Sequence, residues 1–147
     1  ELAVVIGKRG RWISPDEASE HILGYSIAND VTARDLQRQD GQWTRGKGFD
    51  TFCPLGPWLE TDFNAADSLI TCVVNGETRQ MASTRDMVFN VQQIVAFSSS
   101  VMTLEPGDIL LTGTPAGVSQ LQPEDLIEIT IEGIGTLSNR VVSESSA

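Results

Sequence analysis

At 147 residues the chain is long enough for one domain with a sizeable buried core, and its make-up, 40% hydrophobic and 20% charged, is ordinary for a globular protein. Twenty acidic residues against 10 Lys and Arg give a formal net charge of −10, with no basic stripe, which argues against a nucleic-acid backbone as partner. No apolar stretch reaches membrane-spanning length, no signal-peptide pattern opens the chain, and the two cysteines form neither a CxxC nor a disulfide framework, so a reducing cytoplasm is the expected setting.

The first residues, Glu1 to Gly7 (ELAVVIG), read as a buried β-branched strand over 2–6, bounded by Gly7 and the basic turn Lys8 to Arg11. A chain that opens inside a core strand without an initiator Met is expected to lack an upstream part. Ser14-Pro15-Asp16-Glu17 carries a helix start, with Ser as N-cap, Pro at the first position and Glu17 three residues after the cap; Gly24 is the stop. Tyr25 to Val31 predicts a second strand that delivers Asp30 at its end. Thr32 to Gln39 fits one or two helical turns, closed by Asp40-Gly41. Residues 40–57 hold four glycines and two prolines and follow no period, so they predict a long functional loop.

Trp58 to Thr61 reads as a short strand. Asn75-Gly76 between Leu69–Val74 and Glu77–Met81 is the strongest short-range hairpin signal in the chain. Asn90 can cap a helix from about Val91 to Met102, whose apolar residues follow helical spacing. A turn at 105–108, a strand at Ile109–Leu111, a Gly/Pro-rich loop at 112–117, and strands at Leu126–Ile131 and Thr136–Val142 complete the domain, 1–142. A frayed tail is expected over 143–147. The sum is mainly β with short helices, an α+β domain built as a mixed-sheet roll or barrel.

The chemistry concentrates in Asn29 to Gln37 (NDVTARDLQ), which holds two carboxylates, an arginine and a glutamine, and in Lys47, flanked by Gly46 and Gly48. A carboxylate able to hold a divalent cation, followed by cationic donors for an oxyanion, outlines a metal-assisted site for small acidic molecules. On an acidic protein, an anionic substrate needs positive charge gathered locally, from a metal ion with Arg34 and Lys47. From these residues alone, a surface turn laced with ion pairs is the open alternative. His21 reads as a helix residue without a catalytic part. Cys53 lies before Pro54 with no histidine to make a thiolate pair, so packing is its expected role.

Five segments in order, ELAVVIG (1–7), NDVTARDLQ (29–37), RGKGFDTFCPLGPW (45–58), VNGETRQ (74–80) and LEPGDILLTGTPAGV (104–118), resemble the fumarylacetoacetate hydrolase family. The resemblance is to its small bacterial isomerases and decarboxylases of aromatic degradation. It implies a divalent cation, Mg²⁺ or Mn²⁺ with Ca²⁺ also suited, held by three carboxylates. Glu1 matches the second Glu of a Glu-x-Glu pair and Asp30 the third ligand, while the first Glu would lie ahead of Glu1. With one carboxylate missing, weak metal binding is expected of these residues alone.

The same resemblance makes Lys47 the active-site lysine beside a developing enolate. It places Arg34 and Gln37 in or next to the substrate site, and Thr114 as hydroxyl donor to a substrate carboxylate. It implies a metal-dependent enzyme for 2-oxo or 2,4-dioxo dicarboxylic acids, an isomerase or decarboxylase in homoprotocatechuate breakdown, working as a homodimer. Within the family, an acylpyruvate hydrolase or oxaloacetate decarboxylase is the runner-up. A catalytically silent truncated subunit of the same fold is the competing class.

Overall fold

Alternation of apolar and polar residues sets most of the architecture. In the computed structural model, which describes residues 1–143, eight strands form two four-stranded sheets. One has the order β3-β2-β1-β6 and the other β5-β4-β7-β8. The strands are β1 Leu2–Ile6, β2 Ile22–Ala28, β3 Leu55–Glu60, β4 Leu69–Val74, β5 Glu77–Ser83, β6 Ile109–Leu111, β7 Leu126–Ile131 and β8 Gly135–Arg140. Their pairings are all antiparallel among the described residues. Three short helices join them: α1 Arg34–Asp40, α2 Thr44–Lys47 and α3 Val91–Val101. The expected class, mainly β with short helices, is the one found.

β7 shows the principle most plainly. Ile127, Ile129 and Ile131 are buried while Leu126, Glu128 and Thr130 turn outward, so side chains two apart share the core face. β1 is one of the two inner strands of its sheet and is buried nearly throughout. Leu2, Val4 and Ile6 meet Ile27, Ile70, Val95, Leu104, Ile129, Ile131 and Ile134 in one core cluster. Each such side chain contributes about 2 kcal/mol when fully withdrawn from water.

α3 begins where the sequence places it. The Asn90 side chain accepts from the Gln93 N–H at 2.9 Å, and the Gln93 side chain accepts from the Asn90 N–H at 2.9 Å. On its buried face, Ser99 Oγ accepts from the Ile13 N–H and donates to the Ala96 carbonyl, which ties the incoming chain to the helix.

Three expectations are corrected. The Ser14-Pro15 start yields only a single 3-10 turn at Ala18–His21, because Ser14 Oγ donates to the Glu17 carboxylate at 2.6 Å instead of capping backbone N–H groups. Gly24 lies inside β2 and stops no helix: a Cβ there would sit 2.6 Å from the Glu60 carbonyl oxygen, so glycine permits the close approach of β3. The long loop after α1 contains α2, and β3 begins at Leu55. Ser143 follows the last strand without regular structure, and residues 144–147 lie outside the described residues.

Candidate active site

β1 and β2 are antiparallel neighbours, so the start of one adjoins the end of the other. Glu1 continues the ladder just before β1. Its nitrogen donates to the Ala28 carbonyl at 2.7 Å, and the Ala28 N–H returns a bond to the Glu1 carbonyl at 3.0 Å. Asp30 lies two residues beyond Ala28. The pairing therefore brings both candidate carboxylates to one end of the sheet, although they lie 29 positions apart in sequence.

Lys47 reaches the same place from α2. Its ammonium donates to Asp30 Oδ2 and, at 3.2 Å, to Thr32 Oγ1. The Thr32 hydroxyl in turn donates to the Asp30 carbonyl at 3.1 Å. Both ends of the ion pair are mostly withdrawn from solvent, with Lys47 28% and Asp30 22% exposed at the side chain. Gly46 makes the approach possible. It is buried, a Cβ on it would lie 3.1 Å from the Gln37 nitrogen, and its carbonyl accepts the Ala33 N–H at 2.8 Å. The Trp43 ring lies 5.8 Å from the ammonium and shields one side of it.

The Gly113-Thr114 turn closes the corner. Thr112 Oγ1 donates to the Leu2 carbonyl at 2.9 Å, which pins the turn to β1, and the Gly113 N–H donates to Glu1 Oε2 at 2.8 Å. Thr114 Oγ1 accepts from the Gln80 side chain at 2.9 Å, and the same amide group donates to the Pro115 carbonyl at 2.8 Å. Gln80 is the residue that sequence reasoning passed over. It closes the VNGETRQ segment, and its role depends on a contact 34 positions away.

Arg34 and Gln37 stand apart. The Arg34 guanidinium is exposed and donates to Gln37 Oε1 at 2.7 Å, with no ion pair to the neighbouring Asp35. Arg45, one turn away, is held by Asp40 in a two-pronged pair at 2.8 and 2.7 Å. That pair keeps the Asp40 carboxyl below its ordinary range. Lys47 is thus the cation this chain commits to the carboxylate corner.

Cys53 shares the corner's field. Burial first, then the charges of Asp30 and Glu1, push its thiol up, so it stays protonated at neutral pH and does not supply a nucleophile. Thr51 and Cys53 both take positive φ, at 68° and 60°, in the tight path that carries the chain from α2 into β3.

The donor set decides what kind of cation suits this corner. Glu1 and Asp30 offer two carboxylates, and no group of three or more His, Cys, Asp or Glu stands together among the described residues. Two carboxylates completed by water and ligand oxygens make the arrangement Mg²⁺ commonly takes, whereas softer metals prefer nitrogen or sulfur. The fit is to a hard cation, through part of a shell.

Comparison with known proteins now settles the lineage. The family profile described as fumarylacetoacetate (FAA) hydrolase C-terminal matches residues 1–142. The chain belongs to the fumarylacetoacetate hydrolase family. An uncharacterised protein of Methanocaldococcus jannaschii is 55% identical over 144 residues, which are 98% of this chain and 61% of that protein. An oxaloacetate tautomerase of Bacillus subtilis is 47% identical over 151 residues, 96% of this chain and 50% of the tautomerase. The crystal structure of 2-hydroxyhepta-2,4-diene-1,7-dioate isomerase from Mycobacterium marinum superposes with a TM-score of 0.95 at 56% identity, covering 97% of this chain and 56% of that one. The chain spans roughly half to three fifths of the length of these relatives. This fumarylacetoacetate hydrolase domain gathers the carboxylates of Glu1 and Asp30, the ammonium of Lys47 and the Gly113-Thr114 turn at one end of the β1–β2 ladder.

Proposed function

We propose that this fumarylacetoacetate hydrolase domain is enzymatic and moves a proton beside the carbonyl of a 2-oxo or 2,4-dioxo acid through an enolate, with Mg²⁺ or Mn²⁺ as cofactor. The observation that carries the reading is the Lys47 ammonium held against Asp30 and Thr32 at the strand end that also presents Glu1. A bound divalent cation supplies Lewis-acid polarisation of the 2-oxo group.

The chain's own residues do the rest. Asp30 and Glu1 would hold the cation, and the cation would set where the anionic head of the substrate sits. The Lys47 ammonium, kept in place by Thr32 and Asp30, stabilises the oxyanion that develops as the adjacent C–H proton passes to solvent water, which returns a proton to complete the shift. The Thr114 hydroxyl, already oriented by Gln80, donates to the substrate carboxylate. Arg34, exposed at the side, guides the anion inward.

An oxaloacetate tautomerase and a dienedioate isomerase among the relatives support this proton-shift class. The setting we propose, as the family resemblance implies, is an isomerase step in aromatic breakdown. A homodimer is the assembly we assign, with the exposed Leu23, Leu55, Trp58 and Ile109 as its candidate contact.

The test is a spectrophotometric assay of enol-to-keto conversion of oxaloacetate with and without Mg²⁺, beside an isomerisation assay on the dienedioate. Metal-stimulated turnover that disappears in Lys47→Met supports the reading. Equal rates in the wild type and Lys47→Met reject it.

A further inference from the structure

Gln80 stands at a break in its strand. Between β4 and β5 the register runs from Leu69 opposite Ser83 to Cys72 opposite Gln80, then shifts so that Val73 faces Thr78. Arg79 is therefore the extra residue of a β-bulge. Glu77 lies opposite Val74 and shares its face, so regular alternation would turn Gln80 to the other side. The bulge instead puts Gln80 on the face of Cys72, which packs against the core.

The bulge also seats the 113–117 loop. β5 is an edge strand, and a Cβ on Gly117, whose φ is 105°, would lie 2.0 Å from the Arg79 carbonyl oxygen. Only glycine lets the loop come this close. Arg79 thus braces one end of the loop, and Gln80 holds the other at Thr114 and Pro115.

Both contacts of the Gln80 amide come from Nε2, at 2.9 Å to Thr114 Oγ1 and 2.8 Å to the Pro115 carbonyl. A carbonyl only accepts, so the amide must present its NH2 side to the loop, with one proton for each oxygen. Thr114 Oγ1 is an acceptor toward Gln80, and its own proton is left for another partner. Among the described residues no acceptor takes that proton, and Thr114 is exposed beside the Gly113 N–H that meets Glu1.

We propose that Gln80 is a positioning residue that fixes the Thr114 hydroxyl as a proton donor and so commits this corner to an acceptor-only head, the carboxylate of the 2-oxo acid. The proposal rests on the 2-oxo acid reading above and adds the residue that enforces it. A freely turning hydroxyl offers a proton or a lone pair alike. With Gln80 in place the donor direction is set before the ligand arrives, which spares part of the ordering cost of binding. The carboxylate keeps its charge while the proton shifts beside the carbonyl, so this contact acts on binding rather than on the chemical step.

The experiment is a double-mutant cycle on the full protein with Mg²⁺ present, using Gln80→Met, Thr114→Val and the pair. It is read by calorimetric binding of oxalate, a dicarboxylate with no proton to shift, and by KM and kcat for oxaloacetate tautomerisation. Gln80→Met keeps the bulk and removes the donor. It should weaken oxalate binding and raise KM at least about fivefold, with kcat changed less than about twofold. Thr114→Val should weaken oxalate about tenfold or more, and Gln80→Met should add less than about twofold to that loss. A Gln80 that only packed the loop would keep its full cost in the Thr114→Val protein, where the Pro115 contact survives, so additive effects overturn the proposal. Wild-type affinity in Gln80→Met overturns it too, as does the absence of oxalate binding by the wild type. Gln80→Leu should repeat the pattern, and each variant is compared as cooperatively melting protein. Coupling on oxalate without tautomerisation of oxaloacetate would uphold the role of Gln80 and reject the proton-shift reading. Lys47-dependent tautomerisation with additive effects would do the reverse.

Discussion

The β4–β5 hairpin and the corner around Asp30 both reverse the chain, yet they are held by opposite means. The hairpin is specified locally. Asn75 and Gly76 take φ of 50° and 82°, the left-handed pair that matches the twist of the flanking strands, and β4 is paired on its other side by β7. The corner has no ladder between Asn29 and Pro54. It rests on two ion pairs, Lys47 with Asp30 and Arg45 with Asp40, the close α1–α2 contact at Gly46, and positive φ at Gly41, Thr51 and Cys53. The scaffold is thus written in neighbouring residues, and the site is assembled from partners far apart.

Disturbing each region separately sharpens that contrast. Ile131→Ala, in the fully buried core beneath the hairpin sheet, should cost about 2–5 kcal/mol of folding stability. Chemical denaturation measures it, and activity of the remaining folded protein should be unchanged. Lys47→Met should behave the other way round. The rate should fall roughly 10²–10³-fold, the scale of losing one donor to a developing oxyanion. The melting temperature should fall less than in Ile131→Ala, because the pair lies at a loop corner outside the core, although Asp30 loses its partner.

Gly76→Val places a β-branched residue at a φ of 82° and should cost about 1–2 kcal/mol without altering KM. The smallest effect concerns pH. The Asp125 carboxyl accepts from the Gln122 N–H and from the Asn75 side chain, which hold it below its ordinary value of 3.8. A depressed folded-state value contributes stability above the unfolded value, and that stability is lost as pH falls through the folded one. Asp125→Asn should therefore flatten the acid end of the stability profile, read from melting curves at falling pH.

How much was legible follows the same division. The hairpin, the Asn90 cap and β7 could be read directly, because each signal lies within a few residues of its effect. Ser14-Pro15 misled because a side chain that caps a helix can equally bond its own local carboxylate, here Glu17. Gly24 misled because a glycine that ends a helix and one that admits a neighbouring strand look alike in sequence. At the site, residue types pointed to Asp30 and Lys47 and the family resemblance to Thr114, but their partners did not follow from spacing. Gln80 on Thr114 and Gly113 on Glu1 are contacts between distant segments. Arg34 shows the converse: a charge close to Asp30 in sequence turns to Gln37.

The most direct measurement is NMR of solvent-deuterium exchange at C3 of a 2-oxo acid, with Mg²⁺, for the wild type and Lys47→Met at matched folded concentration. Accelerated exchange by the wild type, reduced towards the uncatalysed rate in a Lys47→Met protein that still melts cooperatively, is the predicted result. Equal exchange in the two proteins would contradict the assignment of Lys47 and Asp30 as the reacting corner.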